Sequence, residues 1–293
     1  MSRETVTALT AVATRIRVWS SRHDPGARLH YETRGSGPLL LMVPGANGSA
    51  DAFAAVAEYL AARYTVVTYD RRGFSRSQLD GPQDYEHRLE TDADDVWRLL
   101  ESLTDEPAVV FGSSSGAIVA FELLRRHSSA VGTLVPLEPP AVRQLDDGQK
   151  WLDFFSSMYD LYRQSGPQMA LHRFREQAFA ESDRLVMART MDHNDRARMV
   201  ANATYWFEHE LRQYPAVDLD LGMLKADADR IVLAVGRESS GYPAYDVNVA
   251  LAKKLGTNIV ELPGGHLGFM SQPAEFAHEL EVTLARQAKG SQT

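Results

Sequence analysis

The chain is predicted to fold as an α/β protein, with a mostly parallel sheet and helices on both faces. Three observations predict this. Strand-like and helix-like segments alternate along most of the chain. The run Leu39-Leu40-Leu41-Met42-Val43 is continuously apolar, as in a strand covered on both sides. The apolar run Ala108-Val109-Val110-Phe111 ends in a Gly-x-Ser-x-Gly pentapeptide, residues 112–116, and passes at once into a helix-like segment over 117–126. A strand–turn–helix of this kind is the context a nucleophile elbow requires.

The remaining elements follow in order. Residues 15–20 and 28–33 read as β segments separated by the turn signal Asp24-Pro25-Gly26. After Leu39–Val43 comes Pro44-Gly45-Ala46-Asn47-Gly48. Ser49 or Asp51 then caps a helix reaching about Ala62, with Phe53, Val56 and Leu60 at helical spacing. Residues 64–69 form the next strand, and residues 70–77 the loop at its end. A helix over about 89–103 presents Val96, Leu99, Leu100 and Leu103 on one stripe. Residues 131–137 are a strand ending in Glu138-Pro139-Pro140.

From about Gln144 to Asp227 no strand is evident, and helices are predicted over 151–164, 168–180 and 195–213. This stretch reads as a helical cap over residues 144–227, inserted into a core formed by 1–143 and 228–293. Alternation resumes with a strand over 229–235, a helix near 245–255, a strand over 258–262 and a last helix over about 273–286.

Composition narrows the function. The chain has 293 residues, enough for a large core, with 44% hydrophobic and 24% charged residues. A formal net charge of -8 argues against nucleic acid or an anionic membrane as the main partner. The absence of cysteine excludes disulfides, zinc–thiolate sites and a cysteine nucleophile. Residues 6–14 are short, Thr-rich and soon followed by Arg15 and Arg17, which suits a loose arm or an added strand better than a secretory segment. No run approaches the roughly 18 apolar residues of a membrane span. A cytoplasmic protein acting on a small molecule is the expectation, with a homodimer left open.

In open α/β sheets, functional loops lie beyond the carboxyl ends of the strands. Those ends hold Gly45 with Ala46, Asp70 with Arg71, Ser114, Glu138, Glu238 and His266. A nucleophile, a base and candidate acids therefore converge on one edge, in the chain order Ser, acid, His. Ser114 is the candidate nucleophile. A serine hydroxyl needs a base to take its proton, and His266, in the loop Pro263-Gly264-Gly265-His266-Leu267-Gly268-Phe269 after the last strand, is the best placed.

These pieces carry a resemblance. The loop Val43-Pro44-Gly45-Ala46-Asn47-Gly48, the loop over 70–77, the elbow over 112–116 and Gly264-Gly265-His266 resemble an α/β-hydrolase-fold enzyme with a cap, over about residues 29–284. Ser113-Ser114-Ser115-Gly116-Ala117, Leu137-Glu138-Pro139-Pro140 and Leu262-Pro263-Gly264-Gly265-His266 also resemble the fungal zearalenone lactonases and their unassigned bacterial relatives.

The commonest pattern of the fold implies an Asp about three residues after Gly236, where this chain has Ser239 beside Glu238. The lactonase-like pattern implies Glu138 instead. Glu138 is preferred as the acid, held stiffly before two prolines, and Glu238 is the alternative. The oxyanion hole would use the N–H groups of Ala46 and Ser115, although Pro44-Gly45 stands where many relatives have His-Gly.

Asp70 and its neighbouring arginines read as loop braces, with Arg71 or Arg72 as an alternative clamp for a substrate carboxylate. His209-Glu210 resembles the start of a zinc-protease motif, but Gln213 occupies the second ligand position, so no metal site is expected. Among the cap aromatics, Trp151, Phe155, Tyr159 and Trp206 are candidate substrate contacts; packing within the cap is the alternative for such a stripe.

The sequence thus points to a cofactor-free serine hydrolase of α/β-hydrolase fold, acting on an ester or lactone with an apolar body. Serine at 114 argues against epoxide-hydrolase and haloalkane-dehalogenase chemistry. Carbon–carbon hydrolase, lyase and cofactor-free oxygenase activities share the constellation. A non-catalytic small-molecule receptor is the alternative of another class.

Overall fold

The computed structural model describes residues 15–20, 26–190 and 196–290. The expected arm or strand over 6–14 lies outside them. One sheet contains β1 (Arg15–Ser20), β2 (Ala27–Arg34), β3 (Leu39–Val43), β4 (Thr65–Tyr69), β5 (Gln78–Leu79), β6 (Ala108–Ser113), β7 (Val131–Leu137), β8 (Ala234–Gly236) and β9 (Val260–Leu262). Its order is β1-β2-β4-β3-β6-β7-β8-β9, with β5 paired to β2. From β4 through β9 every neighbouring pair is parallel, while β2 runs antiparallel to its partners.

The helices are α1 (Ala54–Leu60), α2 (Arg88–Glu101), α3 (Ser115–Arg126), α4 (Gly148–Ser165), α5 (Pro167–Ala178), α6 (Glu181–Thr190), α7 (Arg196–His209), α8 (Leu221–Ala226), α9 (Pro243–Leu255), α10 (Gly268–Ser271) and α11 (Pro273–Gly290). A 3₁₀ turn over Ala50–Phe53 leads into α1, and the Ser49 hydroxyl caps it by accepting the Asp51 N–H at 3.3 Å.

The strand period of two explains the two-sided sheet. Leu40 and Met42 of β3 join Phe111 and Val135 in a core with α1 and α11. Leu41 and Val43 join Val110 and Leu134 in a second core, shared with α2, α3 and α9. No helix among the described residues is long and apolar enough to cross a membrane.

Two differences from the sequence reading matter. The strand expected over 229–235 is regular only at Ala234–Gly236, although Ile231 bridges to Leu134. Pro136 of β7 has no N–H to offer β8, and the ladder is interrupted beside it. The side-chain amide of Asn248, on α9, fills the interruption by donating to the carbonyls of Pro136 at 2.9 Å and Ala234 at 2.7 Å. The second difference is α6, which was not expected as a helix. Its apolar residues Leu185, Val186, Met187 and Ala188 are consecutive, so they form no helical stripe.

β3 pairs with β4 on one side and β6 on the other, so the connections leaving β3 and β6 diverge. The crevice between their carboxyl ends is where this class of sheet opens a site. It rests on Phe111 of β6, whose fully buried ring meets Phe53 and Phe276 edge-on, each at 5.9 Å between centroids. Phe111→Ala is expected to cost about 3–5 kcal/mol of unfolding free energy, measured by urea denaturation, because a cavity opens under the elbow strand.

Candidate active site

β6 ends at Ser113 and α3 begins at Ser115, so Ser114 must turn the chain alone. It does so at φ 55, ψ −123, a region that costs a non-glycine residue of order 1–3 kcal/mol. Ser114 N–H donates to Leu137 O at 2.9 Å, and Ala117 N–H donates to Ser114 O at 2.9 Å, which holds the turn. The flanking glycines permit it: a Cβ on Gly116 would lie 2.2 Å from Val43 O, and one on Gly112 2.5 Å from Gly116 O. Ser113 and Ser115 are buried, whereas Ser114 is only half-buried.

The loop after β3 lies against this elbow, since a Cβ on Gly45 would be 2.9 Å from Ser114 Cβ. Ala46 is the next residue of that loop. Ser115 is the first residue of α3, so its N–H has no partner within the helix.

Glu138 follows β7 at φ 46 and is 1% exposed. A buried carboxylate must have partners, and both oxygens do. Oε1 accepts the Gly236 N–H at 2.7 Å, and Oε2 accepts Nδ1–H of His266 at 2.6 Å. His266 is 4% exposed. Burial disfavours its charged form, but the hydrogen bond and charge of Glu138, together with the charge of Asp183, outweigh that and raise its pKa above the ordinary value. With Nδ1 donating to Glu138, Nε2 is left as the basic nitrogen.

Glu238 is exposed and accepts from Gln272 Nε2 at 3.2 Å, so it is turned to a surface glutamine while His266 is bonded to Glu138. Ser239, at the usual aspartate place, is buried, and its hydroxyl has no hydrogen-bond partner among the described residues.

The four candidate aromatics fall into two groups. Phe155 and Trp206 are buried and pack on Phe174, at 6.1 and 5.2 Å between ring centroids. Phe174 in turn meets Phe179 at 5.4 Å, and Phe179 meets the His266 ring at 4.9 Å. Trp151 meets Phe154 edge-on at 5.7 Å and has the Lys150 ammonium over its ring. Tyr159 lies under the Arg212 guanidinium at 3.6 Å.

Sequence reasoning missed Phe179, the aromatic that touches His266. It also missed Asp183, whose carboxylate accepts the backbone N–H groups of His266 and Leu267. Asn202 of α7 was missed as well; its amide donates to Asn47 O at 2.9 Å and Ser75 Oγ at 2.8 Å and accepts the Ser75 N–H at 2.8 Å. An Asp in a polar run or an Asn within a helix carries no periodic signal, so nothing in the sequence singled them out.

Arg71 and Arg72 are buried against protein carboxylates rather than presented to a ligand. Arg72 is bidentate to Asp95, at 2.7 Å for both bonds. Arg71 meets Asp92 at 3.0 Å, Glu210 at 2.5 Å and Gly45 O at 3.2 Å. Arg88 meets Glu210 as well, at 2.8 Å. The acid of the His209-Glu210 pair therefore joins two arginines, and the His209 ring stacks on Tyr85 at 3.7 Å. Among the described residues no group of three or more His, Asp or Glu is placed to hold a metal ion.

The profile of the alpha/beta hydrolase family matches residues 40–279. The chain is 38% identical over 273 residues to YraK, an uncharacterized hydrolase of Bacillus subtilis (strain 168), covering 90% of this chain and 95% of that protein. It is 28% identical over 265 residues to a zearalenone hydrolase of Bionectria ochroleuca, covering 89% of this chain and 95% of that protein. Among solved structures, a thermophilic esterase from Thermogutta terrifontis superposes with a TM-score of 0.67 at 20% identity, over 93% of this chain and 99% of that one. An enol-lactonase from Burkholderia xenovorans LB400 superposes with a TM-score of 0.67 at 18% identity, over 88% of this chain and 97% of that one.

Removing Glu210 would leave the buried Arg71 and Arg88 with Asp92, at 3.0 and 3.6 Å, as their one shared carboxylate. Glu210→Ala is expected to lower stability by about 3–5 kcal/mol in urea unfolding, far beyond the effect of losing an exposed ion pair.

Proposed function

The chain belongs to the alpha/beta hydrolase family; on that premise we propose that it is a cofactor-free serine hydrolase cleaving a carboxylic ester or lactone with an apolar body through an acyl-enzyme. The observation that carries this reading is the 2.6 Å bond from His266 Nδ1 to the buried Glu138, on the sheet edge that holds Ser114 at its strained turn.

In this reading Ser114 Oγ attacks the carbonyl carbon while His266 Nε2 takes its proton. The tetrahedral oxyanion is held by the N–H groups of Ala46 and Ser115, donors that meet charge only as it develops. Collapse breaks the bond to the leaving oxygen, which takes the proton from His266; in a lactone that oxygen stays tethered. Water then gives its proton to His266 and attacks the acyl carbon, releasing the acid and restoring Ser114. Glu138 remains ionised throughout, stabilising the imidazolium and fixing the tautomer.

Glu138 is favoured over Glu238 as the acid because it is the carboxylate bonded to the ring. The lactone is supported by the motif resemblance and by the identity with the zearalenone hydrolase. The apolar body is supported by the aromatic path from Trp206 and Phe155 through Phe174 and Phe179 to His266. The core and cap division at 143/144 and 227/228 belongs to the same proposal.

A fluorophosphonate probe is expected to label the wild-type protein and to leave Ser114→Ala unlabelled; a receptor on this fold would give no labelling at any pH. Glu138→Gln is expected to lower ester or lactone turnover by about 10⁴-fold, as neutralising a triad acid does, with Glu238→Gln near wild type. The reverse pattern would overturn the choice of acid. Because His266 must be neutral to accept a proton and its pKa is raised, activity should fall with decreasing pH from a midpoint above about 6.5. A pH–rate profile with its acid limb below that value would contradict the pairing.

A further inference from the structure

We propose that Asp183, in the first turn of α6, is a positioning residue that locks the His266 loop in place, so that seating α6 on the core is part of building the base. The proposal rests on reading His266 as the base for Ser114.

The geometry is a two-pronged grip. Asp183 Oδ2 accepts the His266 N–H at 3.0 Å, and Oδ1 accepts the Leu267 N–H at 2.8 Å. The residue is 2% exposed, and hydrogen bonds to a shielded charge are stronger than those between neutral groups. The chain has made room for it. A Cβ on Gly265 would meet Asp183 first, at 2.5 Å from Oδ2, 2.7 Å from Oδ1 and 2.8 Å from Cγ. Glycine at 265 is what lets the carboxylate reach both N–H groups.

A second contact comes from the same part of the insertion. Phe179, just before α6, lays its ring 4.9 Å from the imidazole. The imidazole itself is fixed at Nδ1 by Glu138. The backbone grip of Asp183 and the ring bond of Glu138 thus constrain the histidine from opposite ends, one from the helical insertion and one from the sheet.

The grip also has an electrostatic consequence. The charged groups facing His266 are Glu138 from the tip of β7 and Asp183 from α6, and both favour the imidazolium. Asp183 in turn faces His266 and Glu138. Burial raises its own pKa most, while the His266 charge and the two N–H donors hold it down. Asp183 never touches the ring, so it acts on proton transfer through the loop and through its charge.

The test uses the full chain, the fluorophosphonate probe and NMR titration of the His266 imidazole. Asp183→Asn keeps one acceptor but turns an amide N–H toward a backbone N–H. It is expected to slow labelling of Ser114 on the order of 10²-fold, as misplacement of a reacting group by about an ångström does. It should also move the His266 titration, and with it the acid limb of labelling, to lower pH. A merely structural contact would not move that titration.

Gly265→Ala attacks the grip from the other side. It should slow labelling in the wild-type background and add nothing in Asp183→Ala, where the atoms it strikes are gone. If folded Asp183→Asn labels and titrates like wild type, or if Gly265→Ala acts equally in both backgrounds, the Asp183 proposal is overturned while the Ser114 reading stands. A wild-type protein that is never labelled would overturn the Ser114 reading instead, and the imidazole titration would still decide whether Asp183 acts on His266.

Discussion

The burial of one carboxylate organises this molecule. Glu138 sits at the tip of β7 with 1% exposure, and an unpaired charge there would cost several kcal/mol. Its two oxygens therefore dictate their surroundings. One requires the Gly236 N–H, which brings the end of β8 alongside; the other requires the His266 ring, which brings in the loop after β9. Pro136 interrupts the regular ladder just before this point, and Asn248 bridges the interruption. The irregular β7–β8 junction thus follows from Pro136, and the positions of the β8 end and the His266 loop follow from Glu138.

The helical insertion is fastened to the core by polar residues as well as by apolar packing. Asn202 bonds to Asn47 in the loop of the proposed oxyanion donor and to Ser75 in the loop after β4. Glu210 binds Arg71, whose guanidinium also reaches Gly45 O, and Arg88. Asp183 binds the His266 loop. These three side chains are buried and come from the insertion or its carboxyl end, and each reaches a loop at or beside the candidate site. In an interior of low dielectric such bonds are directional and unforgiving, so they fix loop positions more tightly than aromatic packing would. The aromatic cluster around Phe174 reaches the imidazole through Phe179.

Much of the fold was legible in the sequence because burial of a parallel sheet imposes runs and alternations that survive without context. The apolar run of β3, the elbow over 112–116 and the last strand before His266 appear where the patterns put them. The misses have physical causes. The strand after the insertion is cut short by Pro136 on its neighbour, a feature of another part of the chain. α6 went unseen because its apolar residues are consecutive rather than periodic. Residue type alone also does not show that Trp151 and Tyr159 have the Lys150 and Arg212 cations over their rings, which are contacts set by the packing of neighbouring helical turns.

By itself the sequence determined the α/β alternation, the strained serine turn and the placing of a histidine and several acids at strand ends, because each of these is encoded within a few neighbouring residues. Only the tertiary structure decided which acid meets the histidine, since Glu138 and Glu238 are equivalent in residue type and differ in where the sheet leaves them. It also decided that Arg71 and Arg72 are neutralised inside and that Asp183 grips the His266 loop across 83 positions of chain. Those are pairings between distant segments, and they follow from burial: a charge taken out of water must find its partner wherever the fold brings one.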